Sequence, residues 1–273
     1  MALLPLSVPV FTILNALVEE RAGLHYRVED LELLRDKISA RAELAGFESL
    51  LDYYYFLRYD AAGSAELDKL VEALVVHETY FFREADQLRV LFRQLLARRF
   101  AQGAPVRIWC AASATGEEPY TMAMMLADAG LLSRTRIVAS DISERALARA
   151  KSCEFSTRSV RALPPGGEAR WVRREGDRVR IDRSLTDAIE WRRVNLIDAA
   201  AVAALGQFDA VVARNVFIYF SDDTVRQAVA ALGNALNPGG LLLVGASESL
   251  LRYGTALTCE EHGGAFFYRR VPR

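Results

Sequence analysis

Cysteine is scarce in this sequence: Cys110, Cys153 and Cys259 are the three among 273 residues. An odd number with no C-x-x-C spacing disfavours a disulfide framework and predicts reduced thiols in a cytoplasmic protein. Long apolar runs are missing too, and none approaches the roughly 18 residues needed to cross a bilayer. The opening stretch, Met1–Arg21, is apolar but lacks a basic n-region, and its periodicity continues as a helix, which disfavours a signal peptide. No sign of charge dominates. The 34 Lys and Arg against 35 Asp and Glu leave −1 at pH 7, which argues against bulk nucleic-acid binding while leaving local patches open. With 52% hydrophobic and 25% charged residues, the chain reads as an ordinary globular protein rather than a disordered, collagenous or coiled-coil one. Its length suits one large domain or two unequal ones.

The first third reads as helical. Leu67, Leu70, Val71, Leu74 and Val75 recur at three and four residues, and similar stripes run through Val10–Val18 and Val28–Leu44. Ala22-Gly23, Ala45-Gly46 and Ala62-Gly63-Ser64 mark turns between them. Helices this short need mutual packing, so residues 1–76 are expected to form a small all-α domain. Residues 77–99 read as a linker and helix, and residues 100–273 as a second domain. There, short apolar runs (Val106–Cys110, Ile137–Ser140, Phe208–Ala213, Leu241–Gly245) alternate with helical stretches (Pro119–Ala129, Ser143–Lys151, Asp222–Leu236). This alternation predicts an α/β fold with a doubly wound parallel sheet. A hairpin around Arg174-Glu175-Gly176-Asp177 interrupts the rhythm and predicts a small β-subdomain at about 165–190. After Gly263-Gly264, Ala265–Arg269 is expected to return antiparallel.

Ligands of open α/β sheets sit beyond the carboxyl ends of the strands. The first strand ends in Cys110-Ala111-Ala112-Ser113-Ala114-Thr115-Gly116-Glu117-Glu118-Pro119, small residues that let a ligand approach the backbone. It holds neither G-x-G-x-x-G nor a P-loop. Glu117 and Glu118 suit a ligand with cationic groups, or simply a helix N-terminus stabilised by its dipole. Asp141, ending the second strand, suits ribose hydroxyls and equally an N-cap. Asn195 and Leu196 follow the third strand near Ile189–Val194, where an amide and an apolar side chain suit an adenine. The fourth strand runs into Arg214-Asn215-Val216-Phe217-Ile218-Tyr219-Phe220, a density of polar groups that a core role does not explain. Ahead of the sheet, tandem aromatics in His77-Glu78-Thr79-Tyr80-Phe81-Phe82-Arg83 suit packing. Arg83 behind them suits bidentate capture of a carboxylate.

Five segments together resemble the CheR family of S-adenosylmethionine-dependent glutamate methyltransferases of bacterial chemoreceptors. They are Glu78–Arg83, Thr115–Tyr120, Ser140-Asp141-Ile142, Val194-Asn195-Leu196 and Arg214–Phe220. The resemblance implies a class I, Rossmann-like methyltransferase sheet with an inserted β-hairpin subdomain, preceded by a helical domain. It implies S-adenosylmethionine as cofactor, S-adenosylhomocysteine as product and no metal. Position by position, it implies cofactor contacts from His77 (where the family usually has Asn), Thr79, Arg83, Glu118 or Glu117, Asp141, Asn195, Leu196, Arg214 and Asn215. Arg83 and Tyr219 are the positions it associates with catalysis.

The implied acceptor is the cytoplasmic domain of a chemoreceptor, approached by a monomer that meets the membrane only through that receptor. Relatives that bind a receptor-tethered pentapeptide have a longer, Gly-rich hairpin turn, so this chain is expected to be pentapeptide-independent. In relatives the second helix is basic and touches the receptor. Here Arg35, Lys37 and Arg41 stand against Glu29, Asp30, Glu32, Asp36 and Glu43. Residues 170–193 hold eight Arg against five acids, which reads as a solvated hairpin or as a docking surface. A glutamate carboxylate needs no general base near neutral pH, consistent with the lack of a Ser-His-Asp pattern. Other readings are a methyltransferase on another substrate, a non-catalytic cofactor-binding adaptor and, weakest, an NAD(P) oxidoreductase.

Overall fold

A computed structural model describes residues 3–103, 105–164 and 168–271. The chain divides into two compact units, Met1–Val76 with Phe217–Val225, and His77–Val216 with Arg226–Arg273.

The helical unit contains α1 (Val8–Ala22), α2 (Leu31–Leu44), α3 (Leu50–Tyr59) and α4 (Gly63–Leu74). Its core is built from Phe11, Leu14, Leu34, Ile38, Leu57 and Leu70, all nearly sealed from solvent. Gly23 ends α1 in the left-handed conformation at φ 76°, as a helix C-terminus favours. Gly63 plays a different part. A Cβ there would collide with the Phe56 carbonyl oxygen, so the α3–α4 corner requires glycine. The predicted stripes thus correspond to α1, α2 and α4, while α3 adds a helix that the sequence reading did not place.

The basic side chains of α2 have partners inside this unit. Arg41 pairs with buried Glu66, which also accepts the Tyr53 hydroxyl at 3.1 Å. Arg35 meets Glu32 and Asp36, and Lys37 Nζ donates to the Leu74 carbonyl at 3.1 Å. Leu24 forms an isolated antiparallel bridge with Phe220, the single strand-like feature before residue 100 among the described residues.

The sheet unit follows. Its helices are α5 (Ala85–Val90), α6 (Ala97–Ala101), α7 (Glu117–Asp128), α8 (Glu144–Ser152), α9 (Glu168–Trp171), α10 (Arg183–Asp187) and α11 (Ala199–Ala204), and α12 (Asp222–Asn234) belongs to it from Arg226 onward. The strands are β1 (Val106–Ala111), β2 (Thr135–Asp141), β3 (Glu154–Ser156), β4 (Val172–Glu175), β5 (Arg178–Ile181), β6 (Ile189–Arg193), β7 (Phe208–Ala213), β8 (Leu236–Val244), β9 (Leu257–His262) and β10 (Ala265–Arg270).

The main sheet has the order β6-β2-β1-β7-β8-β10-β9. Strands β6, β2, β1, β7 and β8 are parallel, and β10 returns antiparallel beside β8. Central strands β1 and β7 are buried along nearly their whole length, as strands covered on both faces must be. The chain leaves β1 toward β2 on one side and later enters β7 on the other. That places the topological switch point at the carboxyl ends of β1 and β7. Ala111 pairs with Ser140, Asp141 with Arg193 and Ala213 with Val244, so the strand ends align along one edge.

The insertion is more than the predicted hairpin. It is a three-stranded sheet, β3-β5-β4, whose third strand comes from just after α8. Glu175 pairs with Arg178 across the turn, leaving two residues between them, and Gly176 takes φ 64°, as tight hairpins require. Phe155, Val179 and Ile181 face inward and are buried. Residues 165–167, at the start of the predicted subdomain, lie outside the described residues. No helix among the described residues is long and apolar enough to cross a membrane.

Candidate functional site

The loop leaving β1 is shaped by unusual backbone. Ala112, Ala114 and Gly116 have φ of 54°, 47° and 98°. Left-handed alanines are costly and persist where surrounding bonds over-determine them. Those bonds are present: Ser113 N–H donates to the Ser140 carbonyl at 2.8 Å, and Ala114 N–H to Asp141 Oδ2 at 2.8 Å. Gly116 has no room for a side chain, since a Cβ would lie 2.7 Å from Ala150 Cβ and 3.1 Å from the Trp191 ring. Within the loop, Ser113 Oγ is buried with no hydrogen-bond partner among the described residues. A buried, unpaired hydroxyl beside a small-residue loop is a natural partner for a polar ligand at the switch point.

Asp141 organises this loop. Its Oδ2 accepts Ala114 N–H, and its Oδ1 accepts Ser143 N–H at 2.9 Å. It does not cap α8. Ser143 does, its Oγ accepting Ala146 N–H at 3.0 Å, which replaces the N-cap alternative. Val194 N–H donates to the Asp141 carbonyl at 3.0 Å, tying the exit of β6 to the end of β2. Asn195 and Leu196 follow directly. Leu196 is buried, and Asn195 Oδ1 accepts Ile197 N–H at 3.3 Å.

The two acids opening α7 differ sharply. Glu117 is buried, its oxygens accepting Thr115 Oγ1 at 2.6 Å and Ser159 Oγ at 3.0 Å. Burial pushes its carboxyl above the usual carboxylate range despite those hydroxyls. Glu118 instead meets Arg214 Nη1 at 2.6 Å and accepts Cys110 Sγ–H at 3.2 Å. Arg214 also donates through Nη2 to Glu84 Oε2 at 3.0 Å and to the Arg83 carbonyl at 2.8 Å. Burial works against its charge, but Glu118 and Glu84 outweigh it and raise the guanidinium's pKa. Burial likewise opposes ionisation of Glu84. Arg214, with the Ala246 amide and Arg83, overcomes it and holds that carboxyl below its ordinary value.

Asn215 has φ 58° and donates its backbone N–H to Glu248 Oε2 at 2.6 Å. The same oxygen accepts Gly245 N–H at 2.8 Å. Glu84 and Glu248 are thus site residues that the sequence reading missed. The one signal for Glu84 was its place directly after Arg83.

The segment before α5 is fixed to the same unit. Phe81 N–H donates to the Ser159 carbonyl at 2.8 Å and Phe82 N–H to Thr121 Oγ1 at 3.0 Å. Phe81 is sealed from solvent, its ring edge-on to Phe155 at 4.9 Å, so this aromatic is packing. His77 and Thr79 are half-buried. Arg83 is 28% exposed and donates to the Glu78 carbonyl at 3.2 Å. The predicted residues from His77 to Asn215 therefore all fall in the sheet unit. Tyr219 belongs to the helical unit, where it is half-buried and its carbonyl accepts His25 N–H at 2.8 Å. Among the described residues no group of three or more His, Cys, Asp or Glu is placed to hold a metal ion.

Comparison with known proteins gives a consistent result. Residues 77–262 match the family described as CheR methyltransferase, SAM binding domain. Chemotaxis protein methyltransferase 2 of Vibrio cholerae is 35% identical over 240 residues, 85% of this chain and 83% of that protein. Chemotaxis protein methyltransferase of Salmonella typhimurium is 33% identical, covering 90% and 85%. Chemotaxis protein methyltransferase 1 of Pseudomonas aeruginosa is 30% identical, covering 88% and 90%. The chain belongs to the CheR family of chemotaxis protein methyltransferases and carries its S-adenosylmethionine-binding domain.

Proposed function

We propose that this protein transfers a methyl group from S-adenosylmethionine to glutamate side chains of a chemoreceptor's cytoplasmic domain, leaving glutamyl methyl esters. The observation that carries the reading is the extent of the similarity: proteins named chemotaxis protein methyltransferase align over 85% to 90% of this chain. The part-exposed guanidinium of Arg83 supports a carboxylate acceptor, because its fork matches two carboxylate oxygens.

When bound, S-adenosylmethionine supplies a methyl carbon on a positively charged sulfur. In this reading Asp141 receives the ribose, Asn195 and Leu196 flank the adenine, and Ser113 Oγ gains a polar partner. Glu118, rather than Glu117 with its two hydroxyl partners, faces the methionine or ribose portion. Arg214 and Asn215 close the site, with His77, Thr79 and Arg83 contributing from the segment before α5. A glutamate with an ordinary pKa of about 4.3 is already ionised at neutral pH, so no side chain has to remove a proton. The protein's task is to orient the carboxylate and strip some of its water. Arg83 performs the first. Tyr219, which enters through the family resemblance, offers a hydroxyl and a ring wall.

The two-residue β4–β5 turn and the internally paired basic residues of α2 support pentapeptide-independent recognition that does not run through α2. The proposed acting species is a monomer. Methyl-labelled S-adenosylmethionine, incubated with the protein and a chemoreceptor cytoplasmic domain and then treated with mild alkali, tests the reading. Labelled methanol is the expected product. Label that resists alkali would mean N- or S-methylation and a different acceptor.

A further inference from the structure

We propose that Glu84 is a positioning residue for methyl transfer, fixing the turn that carries Arg83 by holding the Arg214 guanidinium and the Ala246 amide at once. The inference rests on the methyl-transfer reading above and deepens it. Arg83 sits between two left-handed residues, Phe82 at φ 60° and Glu84 at φ 48°. Neither is glycine, and a bulky aromatic in that region is a genuine outlier. Such backbone survives where neighbours restrain it.

The restraints on this turn come from three directions. Thr121 of α7 accepts Phe82 N–H at 3.0 Å. Arg214, beyond β7, donates to the Arg83 carbonyl at 2.8 Å and to Glu84 Oε2 at 3.0 Å. Ala246, beyond β8, donates its N–H to that same Glu84 oxygen at 3.2 Å. One carboxylate oxygen therefore joins the turn to the ends of two strands. Arg83 Nε lies 3.9 Å from the other oxygen, and its Nη1 donates to the Glu78 carbonyl at 3.2 Å, so one side of the guanidinium is steered while the side chain stays 28% exposed. Glu84 acts on the reaction through Arg83 and needs no contact with the reacting atoms.

The test compares the full chain with the Glu84→Gly, Glu84→Gln, Arg83→Ala and Glu84→Gly/Arg83→Ala variants. Glycine accepts a left-handed backbone without cost, so it removes the carboxylate without straining the backbone of the turn. In the ligand-free protein, amide hydrogen exchange across residues 77–84 should quicken about tenfold in Glu84→Gly while β1 and β2 stay unchanged. S-adenosylhomocysteine affinity by calorimetry should fall less than kcat for ester formation, which falls about thirtyfold. Glu84→Gln, which keeps an acceptor oxygen, should recover most of that loss. Adding Glu84→Gly to Arg83→Ala should cost less than about threefold more than Arg83→Ala alone, because coupled residues are non-additive. Unchanged exchange in 77–84, or fully additive losses, would overturn the proposal. If the unaltered protein forms no ester, the methyl-transfer reading fails, and the exchange result still decides whether Glu84 holds the turn.

Discussion

Arg214 Nη1 donates to Glu118 Oε2 at 2.6 Å, with the arginine side chain 1% exposed and the glutamate 16%. A guanidinium that deep is tolerable because Glu118 and Glu84 share it between them, and its removal would leave two carboxylates in poorly hydrated surroundings. Breaking a buried pair by deleting one partner typically costs about 3–5 kcal/mol. Arg214→Ala should therefore lower the free energy of unfolding by about that amount, read from urea denaturation. Arg214→Lys should recover only part of it, since one ammonium does not span both acids with the geometry of a fork. A variant as stable as the unaltered protein would remove this arginine from the framework of the crevice.

Gly245 is the second sharp constraint. An added Cβ would lie 2.7 Å from Glu248 Oε2 and 2.9 Å from Asn215 Nδ2. Glu248 meanwhile holds both the Gly245 and Asn215 amides. Gly245→Ala must push Glu248 or Asn215 aside, and overpacking of this kind costs about 1–3 kcal/mol. Because Asn215 is a proposed cofactor contact, S-adenosylhomocysteine affinity should fall about tenfold in calorimetry, the equivalent of some 1.4 kcal/mol. Unaltered affinity would show that Asn215 does not touch the ligand.

These two clusters also mark where the sequence stops being readable. Strands β1 and β7 are continuous apolar runs, and α4 carries a regular stripe, so their burial follows from pattern alone. Helix α3 escaped because Tyr53-Tyr54-Tyr55 blurs the stripe, although Leu50, Tyr53 and Leu57 are its buried residues. Strand β3 has three residues, too few for alternation to register. Strand β9 carries Glu260, Glu261 and His262 on a half-exposed edge, which hides it among polar residues. In the site, Asp141 and Arg214 stood out as polar groups at strand ends. Glu84 and Glu248 did not. Their partners Arg214 and Asn215 lie 130 and 33 residues away, and only the fold brings such distances together.

Acid stability should depend on one pair at the sheet's edge. Arg269 Nε and Nη2 donate to the two oxygens of Glu260 at 2.6 and 2.7 Å. These bonds, against some burial and with help from His262, hold the Glu260 carboxyl down to about 2. An unfolded glutamate titrates near 4.3. The pair's contribution is therefore complete above that value and is lost as pH falls through about 2, because the unfolded chain takes up the proton first. Glu260→Gln should be less stable than the unaltered protein by on the order of 2 kcal/mol at pH 6, with the gap closing toward pH 2. Urea unfolding at several pH values checks this. A gap that stays constant across the range would mean the pair acts through packing rather than charge.

The remaining prediction separates binding from chemistry. Arg83 has its guanidinium part-exposed and its backbone tightly held, the arrangement expected of a group that meets an incoming acceptor rather than the protein itself. Tyr219 follows Asn215 by four residues in sequence but belongs to the helical unit. If both act on the acceptor carboxylate, their loss should be felt mainly after the cofactor is bound. Arg83→Ala should lower kcat about a hundredfold, because misplacing a nucleophile by about 1 Å is enough for that loss. Tyr219→Phe, which keeps the ring and deletes the hydroxyl, should lower it about tenfold. In both variants S-adenosylhomocysteine affinity should fall less than kcat does, since a group acting in the transition state lowers kcat more than it weakens ground-state binding. Parallel losses in affinity and turnover would instead make these two residues part of the cofactor's grip, leaving orientation of the carboxylate to the receptor.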